Sequence, residues 1–85
     1  MELRFAKSFE AEYKSITKGN DPLCRKIRKQ LVLLQKSPAH PSLRLHKLGS
    51  RRFWSISVDK SIRILLLFEK EWIWVYHVGK HEDVY

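Results

Sequence analysis

Phe53-Trp54-Ser55-Ile56-Ser57-Val58, Ile62-Arg63-Ile64-Leu65-Leu66-Leu67-Phe68 and Trp72-Ile73-Trp74-Val75-Tyr76-His77-Val78 follow one another with three residues between successive stretches. The first alternates apolar and polar residues, and the other two are dense in β-branched and aromatic side chains, as strands are. Asp59-Lys60 and Glu69-Lys70 between them read as tight turns. Three consecutive antiparallel strands follow from this pattern. Just upstream, Leu43-Arg44-Leu45-His46-Lys47-Leu48 also has a period of two and reads as another strand, with Gly49 to Arg52 turning the chain. Earlier still the period becomes helical. Ala6, Phe9, Tyr13 and Ile16 recur at helix spacing until Gly19-Asn20. Asp21 reads as the cap of a second helix, with Pro22 at its first position, where a missing N–H costs nothing. Leu23, Ile27, Leu31 and Leu34 form its apolar stripe, and Arg25, Arg28, Lys29 and Lys36 lie off the stripe, facing water. Leu3-Arg4-Phe5 reads as a short first strand. The expected order is β-α-α-β-β-β-β, an α+β fold with an antiparallel sheet and two N-terminal helices packed on one face. At 85 residues, a single domain spanning 1–85 is expected.

A register follows if Trp54, Ile56 and Val58 are kept on the buried face, because residues opposite each other in a sheet share a facing. Ile56 then pairs with Ile64, and Val58 with Ile62. With three-residue turns, Ile64 pairs with Tyr76, Leu66 with Trp74 and Phe68 with Trp72. The other face carries Ser55, Ser57, Arg63, Leu65, Leu67, Ile73, Val75 and His77, with Ser57, Arg63 and His77 side by side. Its exposed apolar half (Leu65, Leu67, Ile73 and Val75) is expected to contribute to a partner contact.

Charge narrows the partners. Seventeen Lys and Arg against nine Asp and Glu give a net charge of +8. Between Lys18 and Arg52 there are ten basic residues and one acid, +9, and the other fifty residues are close to neutral. A stretch this basic attracts phosphate or an acidic protein. No unbroken apolar run, Ile64 to Phe68 included, exceeds five residues, too short for a membrane span. The start of the chain has no long apolar stretch of the secretory kind, so a cytoplasmic location is expected. One cysteine, Cys24, excludes an internal disulfide and a multi-cysteine zinc site.

The catalytic inventory is thin apart from four histidines, His40, His46, His77 and His81. His40 sits between prolines and reads as a surface residue. His77 and His81 are four apart, but Gly79 between them breaks a helix and no second cluster completes a metal shell. No serine sits in a nucleophile elbow and no glycine-rich loop is present to cradle a nucleotide. Neither a metal nor a cofactor is expected. Basic residues, histidines and a terminal tyrosine on a sheet fit metal-free RNA cleavage. There the 2′-hydroxyl attacks the adjacent phosphate, a base takes its proton, positive charge stabilises the phosphorane and an acid protonates the leaving 5′-oxygen.

Three stretches carry a family resemblance over essentially the whole chain: Pro41 to Leu48, entering the sheet; Phe53 to Val58 with Ser61-Ile62-Arg63-Ile64; and Val78 to Tyr85. In this order and at this length they resemble the RelE/ParE superfamily of toxins from type II toxin–antitoxin pairs. The resemblance implies a toxin that enters the ribosomal A site and cuts mRNA, and that is held inactive by an antitoxin encoded by a neighbouring gene. Arg63 matches the strand arginine that contacts the scissile phosphate. His81 stands where the YafQ-like branch has a histidine proposed to be catalytic, Tyr85 matches an aromatic position near the end, and His46 resembles a histidine of the same branch. His77 stands where that branch carries an arginine, which makes it an auxiliary group at most. His46 and His81 are therefore the expected base and acid, their order open. Arg44, Lys47, Arg51, Arg52 and Lys80, with Arg25, Arg28 and Lys29 of the second helix, are the expected phosphate and ribosome contacts. Ser55 and Ser57 stand where RelE has strand lysines. That departure keeps two alternatives open, a ParE-like gyrase inhibitor and a binding member of the family without catalysis.

Overall fold

A computed structural model describes residues 1–49 and 52–80. The strand Glu2–Phe5 (β1) leads into two helices, Lys7–Thr17 (α1) and Asp21–Lys36 (α2). A single 3-10 turn, Pro41–Leu43, precedes the strands His46–Lys47 (β2), Trp54–Ser57 (β3), Ile62–Phe68 (β4) and Trp72–Lys80 (β5). The sheet order is β1-β5-β4-β3-β2. The α+β expectation holds, with one difference: β1 runs parallel to β5, so the sheet is mixed. The chain from β1 through both helices returns to the far edge, which leaves β1 beside the last strand instead of the first hairpin.

Both helices cover one face. Phe9 of α1 and Ile27 and Leu34 of α2 join Leu43, Ile56, Ile62, Ile64, Leu66, Ile73, Val75 and Val78 in one buried cluster. Leu23 and Leu31 pack against it, while Arg25, Arg28, Lys29 and Lys36 are exposed, as the stripe predicts. The α2 cap is Asn20, whose side chain accepts from the Leu23 N–H at 3.2 Å. Asp21 is inside the first turn, where its charge meets the positive end of the helix.

The segment 43–48 is not a continuous strand. Pro41 favours the helical φ of a 3-10 turn, and the His40 ring caps it by accepting from the Ser42 N–H at 3.1 Å. Leu43 then drops into the core with no exposure, and only His46 and Lys47 pair with β3.

The β3–β4 register is the expected one. Ile56 faces Ile64, and the Val58 N–H donates to the Ile62 carbonyl at 2.9 Å. The β4–β5 register differs. Glu69 N–H donates to the Trp72 carbonyl at 2.9 Å, so this turn has two residues where three were expected. Phe68 therefore faces Ile73, Leu67 faces Trp74 and Leu66 faces Val75, and the pairs Phe68–Trp72, Leu66–Trp74 and Ile64–Tyr76 do not form. A one-residue slip sends every side chain to the other face. Ile73 and Val75 accordingly enter the core at zero exposure. A bulge opposite Leu65 and Leu66 then inserts Tyr76 as an extra residue, which restores the facing beyond it. Leu65 faces His77, Arg63 faces Gly79 and Ile64 faces Val78. Arg63 and His77 thus share the face away from the helices, as expected, but they are not side by side: Gly79 takes the place opposite Arg63, because the two-residue turn and the bulge shift β5 along β4. The exposed apolar half is corrected: Ile73 and Val75 are in the core, and Leu65 and Leu67, on the outer face, keep only 7% and 9% exposure.

Candidate functional site

The outer face of the sheet groups the chemically able residues into two rows. His46, Ser55, Leu65 and His77 are successive partners across β2, β3, β4 and β5. In the next row Ser57, Arg63 and Gly79 lie across β3, β4 and β5. Gly79, the β5 partner of Arg63, brings no side chain to that flank of it.

Arg63 is held from the other flank. Its Nε and Nη2 donate to the Ser55 Oγ at 3.2 and 3.0 Å, and Nη2 also donates to the Arg44 carbonyl at 3.3 Å. Ser55 is fully buried, so its hydroxyl is a fixed anchor for the guanidinium and not an exposed nucleophile. Arg44 has left-handed backbone angles, φ 49° and ψ 50°, an uncommon state for a residue with a Cβ. That conformation, just after the 3-10 turn, brings its carbonyl to Arg63. Ser57 Oγ donates to the Asp59 carbonyl at 2.9 Å and so belongs to the neighbouring turn. Ser55 therefore positions the guanidinium, Ser57 organises the turn, and neither supplies charge.

His46 is exposed and lies directly across from Ser55. The Arg63 side chain reaches back toward β2 to meet Ser55 and Arg44, so the guanidinium approaches the strand that bears His46. His77 is three strands away, about 14 Å at the usual strand spacing. Its Nδ1 lies 3.1 and 3.2 Å from the two Glu12 carboxylate oxygens, and Glu12 also accepts from the Val78 N–H at 3.2 Å. His77 is thereby engaged in tying α1 to β5. Glu12 was not singled out in the sequence; its place beside the Phe9–Tyr13 stripe is the signal that could have found it.

The basic residues do not form one surface. Arg44 borders the outer face beside Arg63. Lys47 faces Trp54, on the helix side of the short edge strand. Arg52 is exposed and lies 3.7 Å from Glu69. Lys80 faces Ile62, and it lines a cavity of about 560 Å³ with Glu12, Ile16 and Leu23, on the helix side. Arg25, Arg28 and Lys29 are on the solvent side of α2, across the sheet from Arg63. Arg28 donates to the Tyr13 hydroxyl at 3.4 Å. That hydrogen bond, then the nearby Cys24, hold its guanidinium above the ordinary arginine range. His81, Tyr85 and Arg51 lie outside the described residues. Among the described residues no group of three or more His, Cys, Asp and Glu is placed to hold a metal. Among the described residues no helix is long and apolar enough to cross a membrane.

Two helices on one face of a five-stranded sheet have close parallels among solved structures. YafQ from E. coli superposes with a TM-score of 0.83 at 12% identity, over 99% of this chain and 97% of that one. This is the RelE/YafQ toxin fold. A YoeB/ParE toxin from Agrobacterium tumefaciens shares the fold at a TM-score of 0.80 and 15% identity, over 95% of this chain and 99% of that one. The YoeB of a YoeB–YefM complex from Staphylococcus aureus shares it at 0.78 and 18%, over 95% of this chain and 97% of that one. No family model and no curated protein matches the sequence. With identities this low, what the RelE/YafQ likeness establishes is the fold.

Proposed function

We propose that this chain is the toxin of a type II toxin–antitoxin pair and cuts mRNA on the ribosome without a metal. The observation that carries the reading is the Arg63 guanidinium, fixed by the buried Ser55 hydroxyl and the Arg44 carbonyl on the face that also bears His46. A guanidinium held in place stabilises a phosphorane without reorganising during the reaction. The 2′-oxygen forms a bond to phosphorus as the P–O5′ bond breaks. One of His46 and His81 accepts the 2′-hydroxyl proton, and the other supplies a proton to the 5′-oxygen. The products are a 2′,3′-cyclic phosphate and a 5′-hydroxyl. Tyr85 stacks on a base or assists proton transfer. Arg44, Arg51 and Arg52 hold phosphates, and Lys47 and Lys80, which face the helix side, join Arg25, Arg28 and Lys29 in contacting ribosomal RNA from the opposite side.

The partner in this reading is a cytoplasmic antitoxin with an acidic segment. Support comes from two of the structural neighbours, solved as the DinJ–YafQ and YoeB–YefM complexes. Induction of the chain followed by mapping of mRNA 5′ ends tests the nuclease. Cuts within translated codons are expected, and Arg63→Ala is expected to reduce them about 10²- to 10³-fold, the usual cost of one transition-state donor. Intact message and unchanged translation on inducing wild type would overturn the reading. The uncharged pair Ser55 and Ser57 favours the gyrase-directed alternative; trapped gyrase breaks with intact message would establish it.

A further inference from the structure

The outer face has a second region that the proposed chemistry does not use. Toward the β4–β5 turn it carries Phe53, Trp74 and Tyr76 over Leu65 and Leu67. The Phe53 and Tyr76 rings meet edge to face at 5.5 Å, and Trp74 lies 6.0 Å from Tyr76. All three rings are half-buried, so each keeps part of its surface in solvent. The bulge brings this about: Tyr76, the inserted residue, shares the outer face with His77, with ring centroids 6.3 Å apart. Trp72 is closed off by comparison, because the Arg4 guanidinium lies 3.9 Å over its ring. The solvent face of a sheet is ordinarily polar. Rings there, beside a fixed guanidinium, match the arrangement by which sheets bind single-stranded RNA, with bases on aromatic faces and phosphates on cations.

We propose that Trp74 and Tyr76, braced by Phe53, form a stacking platform for unpaired RNA bases next to the phosphate held at Arg63. The inference rests on the nuclease reading and adds to it the part of the RNA that sets affinity. Charge selects this occupant over an apolar protein segment, since the Arg63 guanidinium is held on the same face at Ser55, two residues along the chain from Phe53. Stacking binds ground state and transition state alike, so the platform acts on affinity and leaves the rate at saturation unchanged.

The test measures cleavage on programmed ribosomes against message concentration. Alongside it, tryptophan fluorescence follows binding of an uncleavable 2′-deoxy-substituted RNA octamer. Trp74→Leu is expected to raise the half-saturating concentration at least 5-fold, within the ~5- to 150-fold that one base–aromatic stack is worth, with the maximal rate within about twofold. Trp74→Phe is expected to restore most of the affinity, and it carries the test if the leucine variant does not fold. Wild type that cuts, with Trp74→Leu and Tyr76→Leu unchanged, would overturn the platform alone. Unchanged octamer binding with lost antitoxin retention would also overturn it and assign the rings to a protein. Wild type that binds the octamer through Trp74 but cuts no message would overturn the nuclease and keep the platform. Wild type that neither cuts nor binds would overturn both.

Discussion

The two halves of β5 are neighbours in sequence and are held in different ways. Trp72–Val75 lies between β4 and β1, with ladder hydrogen bonds on both edges. Beyond the bulge, His77–Lys80 has β4 on one edge and α1 on the other. There Ser8 Oγ donates to the Tyr76 carbonyl at 2.6 Å, and the Glu12 carboxylate accepts from the Val78 N–H. Side chains of one helix thus replace a strand and satisfy the edge of the sheet. The first half owes its facing to a two-residue turn, and the second recovers its facing through one inserted residue. The lesson is that a strand can present opposite alternations at its two ends, and here the site lies on the end set by the bulge.

The largest effects should come from the half enclosed by two strands. Ile73 and Val75 have no exposure, and Ile73→Ala is expected to cost about 3 kcal/mol in chemical denaturation, the usual loss for a buried aliphatic truncation. Trp74→Leu, on the outer face of the same half, is expected to cost less than half of that. Equal losses would break the assignment of Ile73 to the core and Trp74 to the solvent side.

Much of this was legible in the sequence and one step was not. The helix stripes and the β3–β4 register follow from periodicity, because burial forces apolar residues onto one side. The common face of Arg63 and His77 does not: it was expected from a three-residue turn and is realised because the bulge at Tyr76 cancels the slip of the two-residue turn. The turn after Phe68 was not legible: Glu69-Lys70-Glu71 contains no glycine, asparagine or proline to choose between two residues and three. Since Trp72, Trp74 and Tyr76 are as apolar as Ile73 and Val75, hydrophobicity did not distinguish the two facings either. The site divides likewise. Arg63 and His46 could be named from the resemblance. The anchoring role of Ser55 and the Arg44 carbonyl depends on tertiary contacts, and a serine in a strand carries no local sign of them.

A smaller effect belongs to the half held by α1. Glu12→Ala removes the acceptor for Val78 N–H and for His77, and is expected to cost about 1–2 kcal/mol, since a buried donor loses its partner. Hydrogen exchange should sharpen the comparison of the two halves. The Val78 amide is expected to exchange faster in Glu12→Ala while amides of 72–75 follow the global change only. Glu12→Gln keeps an acceptor oxygen and should recover most of the protection. Uniform acceleration along β5 would show the two halves opening as one.

The smallest effect comes from the two hairpin turns, which differ as the halves of β5 do. The β4–β5 turn closes through its backbone, whereas the β3–β4 turn is organised by Asp59. Its Oδ1 accepts from the Ser61 and Ile62 N–H groups, both at 2.8 Å. Partial burial pushes the Asp59 carboxyl up, but the hydrogen bonds from Ser61 and Ile62 outweigh it and hold the group below the ordinary aspartate value of 3.8. A carboxyl depressed on folding binds its proton less readily in the native state than in the unfolded chain. Its contribution is therefore complete above the unfolded value and is lost as pH falls through the folded one. The side chain is only partly buried and its charge is screened by solvent, so the contribution is small, about 0.5 kcal/mol. Asp59→Asn keeps the acceptor oxygen and removes the charge. Wild type is expected to unfold slightly above Asp59→Asn at pH 7, and the two should converge as the pH falls below the folded value. A gap that persists at the acid end would assign the turn's stability to the shape of the side chain instead of its charge.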